Sequence, residues 1–162
     1  MQGDPKVIEH LNKALKLELT GINQYFLHAR MFRHWGFGKL ADVEYHESID
    51  EMKHADQLIE RILFLDGLPN LQDLDKLLVG EEAIECLECD LKLERVAHAA
   101  YKDAVAYCEL ARDYISRELF ERILENEEKH IDFLEMQLEL VKKVGRENYL
   151  QSQMSEHPTS AT

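Results

Sequence analysis

Seven glycines and three prolines are all that interrupt this chain of 162 residues, and the longest stretch free of both, from Glu81 to Val144, runs for 64 residues. Apolar residues recur through it at helical spacing, yet it is too long for one globular helix. A break is therefore expected near 113 to 116. The remaining punctuation divides the chain in the same way. Asp4-Pro5 reads as an N-cap followed by a proline at the first helical position. A first helix then runs to about Trp35, where Gly36 and Gly38 end it, and a second runs from about Lys39 to Asp66, closed by Gly67 and Pro69. A third begins at Glu81-Glu82, where acidic residues suit the positive end of a helix. Gly145 ends the fourth, and a short fifth segment runs from Arg146 to about Met154. No stretch reads as a strand. The expectation is an all-α four-helix bundle over residues 1–154, with a short fifth C-terminal helix and a polar tail, 155–162, that is disordered.

The segment from Gly67 to Gly80 limits the topology. Its 14 residues extend to roughly 46 Å at about 3.3 Å each, and a helix of about 28 residues is roughly 42 Å long. A long crossover of this size spans the bundle and makes the second and third helices parallel. The turn at 33–39 and the break near 113 are too short for that and join antiparallel neighbours.

Composition narrows the function. Against 19 basic residues stand 32 acidic ones, a formal charge of −13. Such a chain repels nucleic acid and anionic lipid and tolerates bound cations. No run of eighteen apolar residues forms a membrane span, and the N-terminus opens straight into a helical pattern rather than a leader. Cys86, Cys89 and Cys108 are an odd count, read as reduced thiols. A soluble, cytoplasmic, single-domain protein is expected.

Two Glu-x-x-His units stand out, Glu51-Met52-Lys53-His54 and Glu127-Glu128-Lys129-His130. Residues three apart share a helix face, so each unit presents a carboxylate beside an imidazole. One such unit is weak evidence in a charged helical protein. The spacing is stronger: the two units lie 76 residues apart, as do Glu18 and Glu94, and within each half the step from the lone glutamate to the unit is 33. Each glutamate falls about 13 residues into its helix, so all four sit at one level. Leu11, Ile22 and Tyr25 share a face with Glu18, and Leu87, Leu91 and Tyr101 share one with Glu94. Carboxylates on apolar faces are costly to bury without a partner. Two divalent cations would balance four glutamates, and carboxylate and imidazole without thiolate suit iron or manganese.

Other positions carry weaker signals. Met52 lies about 100° around its helix from Glu51 and joins Tyr45, Ile49 and Ile59 in a second apolar stripe, matched on the first helix by Leu19 and Phe26. A second apolar face suggests a partner subunit, and periodicity alone reads Met52 as interface packing. Tyr25, seven residues after Glu18, is either a hydrogen-bonder or electron donor behind the glutamate or an ordinary core tyrosine. Cys86 and Cys89 have C-x-x-C spacing but lie in a helix without a second pair, and read as buried thiols. His10, His28, His34, His98 and His157 show no partner spacing and read as ordinary polar residues.

The pattern of one glutamate from each of two helices and Glu-x-x-His from the other two is the ferritin-like di-iron signature. The segments Asn23–Met31, Glu44–Asp56 and Arg61–Leu71, with Cys89-Asp90-Leu91 and Glu147–Gln151, resemble bacterioferritin over about residues 1–154. The resemblance implies an iron-storage ferroxidase that oxidises Fe²⁺ with O2 or H2O2 and stores the ferric mineral inside a hollow homo-oligomeric shell of 24 subunits built from two-fold dimers. It implies that Glu18 and His54 hold one iron, Glu94 and His130 the other, and that Glu51 and Glu127 bridge them. It makes Met52 an axial ligand of haem b shared between two subunits, and His46 and Asp50 an inner-surface iron site, although the residues themselves read equally as a solvated pair. A ferredoxin-type reductant for iron release is implied as well. Two other classes compete. A di-iron peroxidase or oxygenase would add a rubredoxin-like module or a long substrate domain, and neither is in the sequence; a helical interaction protein would bind no metal.

Overall fold

The computed structural model describes residues 1–155 and places five helices in them: α1 (Pro5–His34), α2 (Gly38–Phe64), α3 (Ala83–Ala111), α4 (Tyr114–Val144) and α5 (Arg146–Gln153). No strand occurs among the described residues. The expected polar tail, with His157, lies outside them apart from Ser155.

The helix ends follow local chemistry. Asp4 accepts from the backbone N–H of Lys6 and Val7, with Pro5 at the first position of α1. Glu82 caps α3 by accepting from Ile84 and Glu85, so the helix starts two residues later than Glu81-Glu82 suggests. The break in the long uninterrupted stretch falls at Arg112–Asp113. Arg112 takes a left-handed conformation (φ 58°), and Asp113 then caps α4 by accepting from Ser116. No glycine is used there, which is why punctuation alone could not place the turn.

Helix directions can be read from contacts. Ser48 donates to the carbonyl of Ile22 on α1, and Gly3 N–H donates to Leu65 at the far end of α2, so α1 and α2 are antiparallel. Asp4 meets Tyr107 at one end of α1 and His28 meets Asp90 at the other, so α3 also runs against α1. Helices α2 and α3 are therefore parallel, as the crossover length predicts.

The crossover is fastened to α1 by side chains recurring every fourth residue, on one helix face. Asn12 binds the backbone of Leu68 and Asn70, Lys16 pairs with Asp73 and Asp75, and Thr20 accepts from Asp75 N–H. Gln24 accepts from Leu78 N–H and His28 Nε2 from Gly80 N–H, at 3.0 and 3.1 Å. A loop without secondary structure of its own thus finds partners for its backbone.

Two apolar cores result. One, built on Leu11, Leu15, Leu58, Ile62, Ala104 and Phe120, fills the end holding the N-terminus of α1. The other, built on Phe32, Leu40, Leu87, Leu134 and Tyr149, fills the opposite end and includes α5. Between them lies a belt of buried polar side chains.

Candidate metal centre

The belt contains all six residues of the repeated pattern. Glu18, Glu51, His54, Glu94, Glu127 and His130 are at most 6% exposed, one from each of α1 and α3 and two from each of α2 and α4. The turn-by-turn spacing that put them on one face in the sequence puts them at one level in the bundle.

His54 Nδ1 lies 3.2 Å from Glu18, 3.7 Å from Glu51 and 3.6 Å from Glu127. Ligand atoms of these four residues fall within 4.8 Å of one another, close enough to surround one ion. His130 Nδ1 lies 2.9 Å from Glu94 and 3.6 Å from Glu47. Glu127 therefore reaches across toward the His54 half. The ion pairs found for these four glutamates run only to the two imidazoles. Among the described residues, no nitrogen or hydroxyl donor reaches Glu94 Oε2, Glu127 Oε2 or His130 Nε2, although all are buried.

The charges respond to this crowding. Burial first, and then the charge of a neighbouring carboxylate, Glu127 for Glu51 and Glu94 for Glu127, push the Glu51 and Glu127 carboxyls well above the usual range. Burial opposes charge on His130, but Glu94, then Glu47 and Asp90, outweigh it and lift the imidazole to about 9. His54 is raised in the same sense, with burial opposed by the hydrogen bond and charge of Glu18. Glu94 goes the other way: burial opposes its charge, but hydrogen bonds with Glu127, His130 and Tyr25 and the charge of His130 lower its carboxyl. Carboxylates crowded and buried with orphaned oxygens are short of positive charge. Carboxylate and imidazole donors in this number suit a pair of ferrous or manganous ions.

Two residues at the centre were given no role by the sequence reading: Tyr101, placed only as an apolar-face neighbour of Glu94, and Gly21. Tyr25 donates to Glu94 Oε1, and Tyr101 donates to Glu18 Oε1, each reaching from its own helix to the glutamate of the other. Tyr101 stands 76 residues after Tyr25, so the repeat itself was the signal. Gly21 is the second: a Cβ there would come within 2.7 Å of Glu51 Oε2, so only glycine lets α2 bring that carboxylate so close to α1.

His28 requires a correction. It is fully buried, one turn from the centre, rather than an ordinary polar residue. Gly80 N–H donates to Nε2, so Nδ1–H donates to Asp90 Oδ1 at 2.8 Å, and Gln24 donates to the same oxygen. Glu44 completes this group, with both oxygens and Asp90 Oδ2 lacking a nitrogen or hydroxyl donor. Burial, then Asp90, push the Glu44 carboxyl well above its usual range. His98, also read as unpartnered, pairs with Glu128 at 2.9 Å.

The remaining candidates lie outward. Met52 is 60% exposed, beside exposed Ile49 and Phe26, whose ring meets Tyr45 at 6.2 Å. Leu19 and Ile59, expected in the same outer stripe, pack instead against the main core. His46 is exposed, and Asp50 pairs with Lys53 at 3.7 Å. Asp50 also lines a surface cavity of about 360 Å³ with Glu47, Lys53, Gln57, Asn126 and Lys129, and His54 and Glu127 form its floor. Cys86 is buried and Cys89 half-buried, both thiols pushed up by burial.

Comparison with known proteins agrees with this geometry. Residues 8–144 match the family model for the ferritin-like domain. Bacterioferritin of Brucella melitensis is 52% identical over 149 residues, 92% of each chain. Bacterioferritin of Rhodobacter capsulatus is 49% identical over the same span, and that of Mycolicibacterium paratuberculosis is 48% identical over 159 residues, 98% of this chain and all of the relative. The chain belongs to the bacterioferritin family.

Proposed function

We propose that the protein stores iron and oxidises Fe²⁺ to Fe³⁺ at the buried centre, with O2 or H2O2 as oxidant. The observation that carries this reading is the convergence of four buried carboxylates and two imidazoles with no lysine or arginine among them. Glu18 with His54 and Glu94 with His130 would each hold one ion, and Glu51 and Glu127 would serve both. A pair of ferrous ions there supplies two electrons together, so the oxidant is reduced without release of a one-electron radical.

The chain's own residues position and balance. Burial and the charge of neighbouring carboxylates hold the Glu51 and Glu127 carboxyls well above the usual range, so protons compete with cations for them. Loading with cations therefore releases protons. Tyr25 and Tyr101 keep their hydroxyl protons, since burial raises both far above the phenol value. The two apolar cores close the centre off along the bundle, one on either side of its level. The cavity floored by His54 and Glu127, with Glu47, Asp50, Lys53 and Lys129 on its wall, gives ions an approach from the surface.

The exposed face around Met52 would meet a second copy of the chain, and Met52 of each copy would hold a haem b between them, its sulfur being a suitable haem-iron donor. Within this reading, residues 1–154 form the working domain, His46 and Asp50 receive iron on the inner surface, and 24 copies close a cytoplasmic shell emptied by a ferredoxin-type reductant. The test is the initial rate of aerobic Fe²⁺ oxidation in Glu18→Ala and His130→Ala. Both should fall by more than about tenfold, since even groups that only orient a ligand cost that much, while the assembly elutes unchanged. Oxidation at the wild-type rate in either variant would overturn the ligand assignment.

A further inference from the structure

We propose that Tyr101 is a positioning residue for Glu18, the counterpart of Tyr25 on Glu94, so that each half of the metal centre is held in place by a tyrosine from the other half. The inference rests on the metal-centre reading above and extends it to a residue outside the ligand set.

Three observations carry it. First, Tyr101 is fully buried on α3, and its hydroxyl donates to Glu18 Oε1 on α1. Second, the two oxygens of Glu18 are divided: Oε1 is tied to Tyr101, while Oε2 turns to His54 Nδ1 at 3.2 Å, on the side where Glu51 and Glu127 converge. A carboxylate fixed through one oxygen presents the other in a set direction, which is how supporting hydrogen bonds orient metal ligands. Third, the tyrosine–glutamate pairing is duplicated, although Glu94 meets Tyr25 and His130 through the same oxygen, Oε1. Tyr25 and Tyr101 stand seven residues beyond Glu18 and Glu94 respectively, and each reaches the other helix's glutamate. A tyrosine buried only for packing would need some acceptor, but nothing would require both to choose these two carboxylates.

The ring is held independently of the hydroxyl. Tyr101 meets Phe120 edge-on with centroids 5.8 Å apart, and both belong to the same apolar core. Tyr101→Phe therefore keeps the packing and removes only the hydrogen bond.

The test is anaerobic Co²⁺ titration of the metal-free assembly, read by visible absorbance, with crystals of each variant soaked in limiting Co²⁺ and examined by anomalous diffraction. Wild type should bind two Co²⁺ tightly per chain. Tyr101→Phe should keep one step at wild-type affinity and weaken the other about ten- to a hundredfold, with the lost anomalous peak at Glu18 and His54. Tyr25→Phe should lose the peak at Glu94 and His130 instead. Tyr101→Leu, which also lacks the hydroxyl, should reproduce the selective loss if the phenylalanine variant fails to fold. A Tyr101→Phe protein with both steps unchanged, or with both weakened equally, would overturn the inference even if its melting temperature fell. Absence of two tight sites in wild type would overturn the underlying metal-centre reading.

Discussion

The two ends of the bundle on either side of the candidate metal centre are related by the same 76-residue repeat and are built from opposite chemistry. At the centre the repeat is kept in kind: Glu18 and Glu94, Glu51 and Glu127, His54 and His130, Tyr25 and Tyr101. One turn away it is broken. Gln24, His28, Glu44 and Asp90 lie buried at one end, and the residues 76 positions away at the other are Ala100, Ala104, Phe120 and Ala14, all in the apolar core. An apolar solution therefore exists for these positions, so the polar one answers a local demand. That demand is the crossover, which ends against the polar side only. Leu78 and Gly80 bring buried backbone N–H groups that need acceptors, Gln24 and His28 supply them, and Asp90 fixes the orientation of both. Symmetry survives where two ions would need equivalent ligands, and is lost where a single loop needs partners.

The largest test moves the charge to the wrong end. Ala14→Asp puts a carboxylate at the counterpart of Asp90, among Leu, Phe and Ala with no donor. It should cost about 3–5 kcal/mol, the usual result of an uncompensated buried charge, measured as a fall in denaturant midpoint. A loss below about 1 kcal/mol would mean that the apolar end hydrates or rearranges and that the contrast is not energetic. His28→Ala goes the other way and gives the polar end the residue its counterpart already has. It should cost about 2–4 kcal/mol through the cavity and the orphaned Gly80 N–H. Hydrogen exchange at Leu78 and Gly80 should quicken with it. Exchange unchanged at those amides would detach the polar end from the crossover.

Glu44→Gln should stabilise, and its pH dependence carries the sign. The folded state holds the Glu44 proton more tightly than the unfolded chain does, because burial and Asp90 raise its pKa. Stability is thus lost as pH rises from the ordinary carboxyl value, about 4.3, through the raised one. Glutamine has no proton to lose and can donate to Asp90. Metal-free Glu44→Gln should gain about 1–3 kcal/mol over wild type at pH 8, and the gain should vanish below about pH 4. The same gain at all pH values would assign it to packing. The smallest effect on stability belongs to Met52→Leu, within about 0.5 kcal/mol for so exposed a residue. Haem content should nonetheless fall sharply in purified protein while the Fe²⁺ oxidation rate holds. Normal haem with an unaltered spectrum would return Met52 to interface packing.

The sequence disclosed what repeats and hid what does not. Four helices, their parallel central pair and six buried candidates followed from glycine and proline positions and two matched intervals. Tyr101 was missed although it obeys the interval, because a tyrosine among apolar neighbours looks like core until its hydroxyl is located. Gly21 was missed because close approach of Glu51 is a property of two helices packed together, and no local pattern encodes it. His28 was misread for want of a partner in its own segment. Its partners, Gly80 and Asp90, lie 52 and 62 residues away, and the clue was the four-residue ladder of Asn12, Lys16, Thr20, Gln24 and His28, which marks a helix face without saying that a loop covers it. Leu19 and Ile59 were assigned to an outer face that hydropathy alone cannot distinguish from core.

The most direct test of the account is anomalous diffraction at the iron edge from crystals of the protein soaked anaerobically in Fe²⁺. The account predicts two peaks within the bundle of each chain, one between Glu18 and His54 and one between Glu94 and His130, with Glu51 and Glu127 between them. It predicts none at His28, Glu44 and Asp90, where the side chains serve the crossover. A bundle without paired peaks at the centre, or with its iron at the polar end, would contradict it.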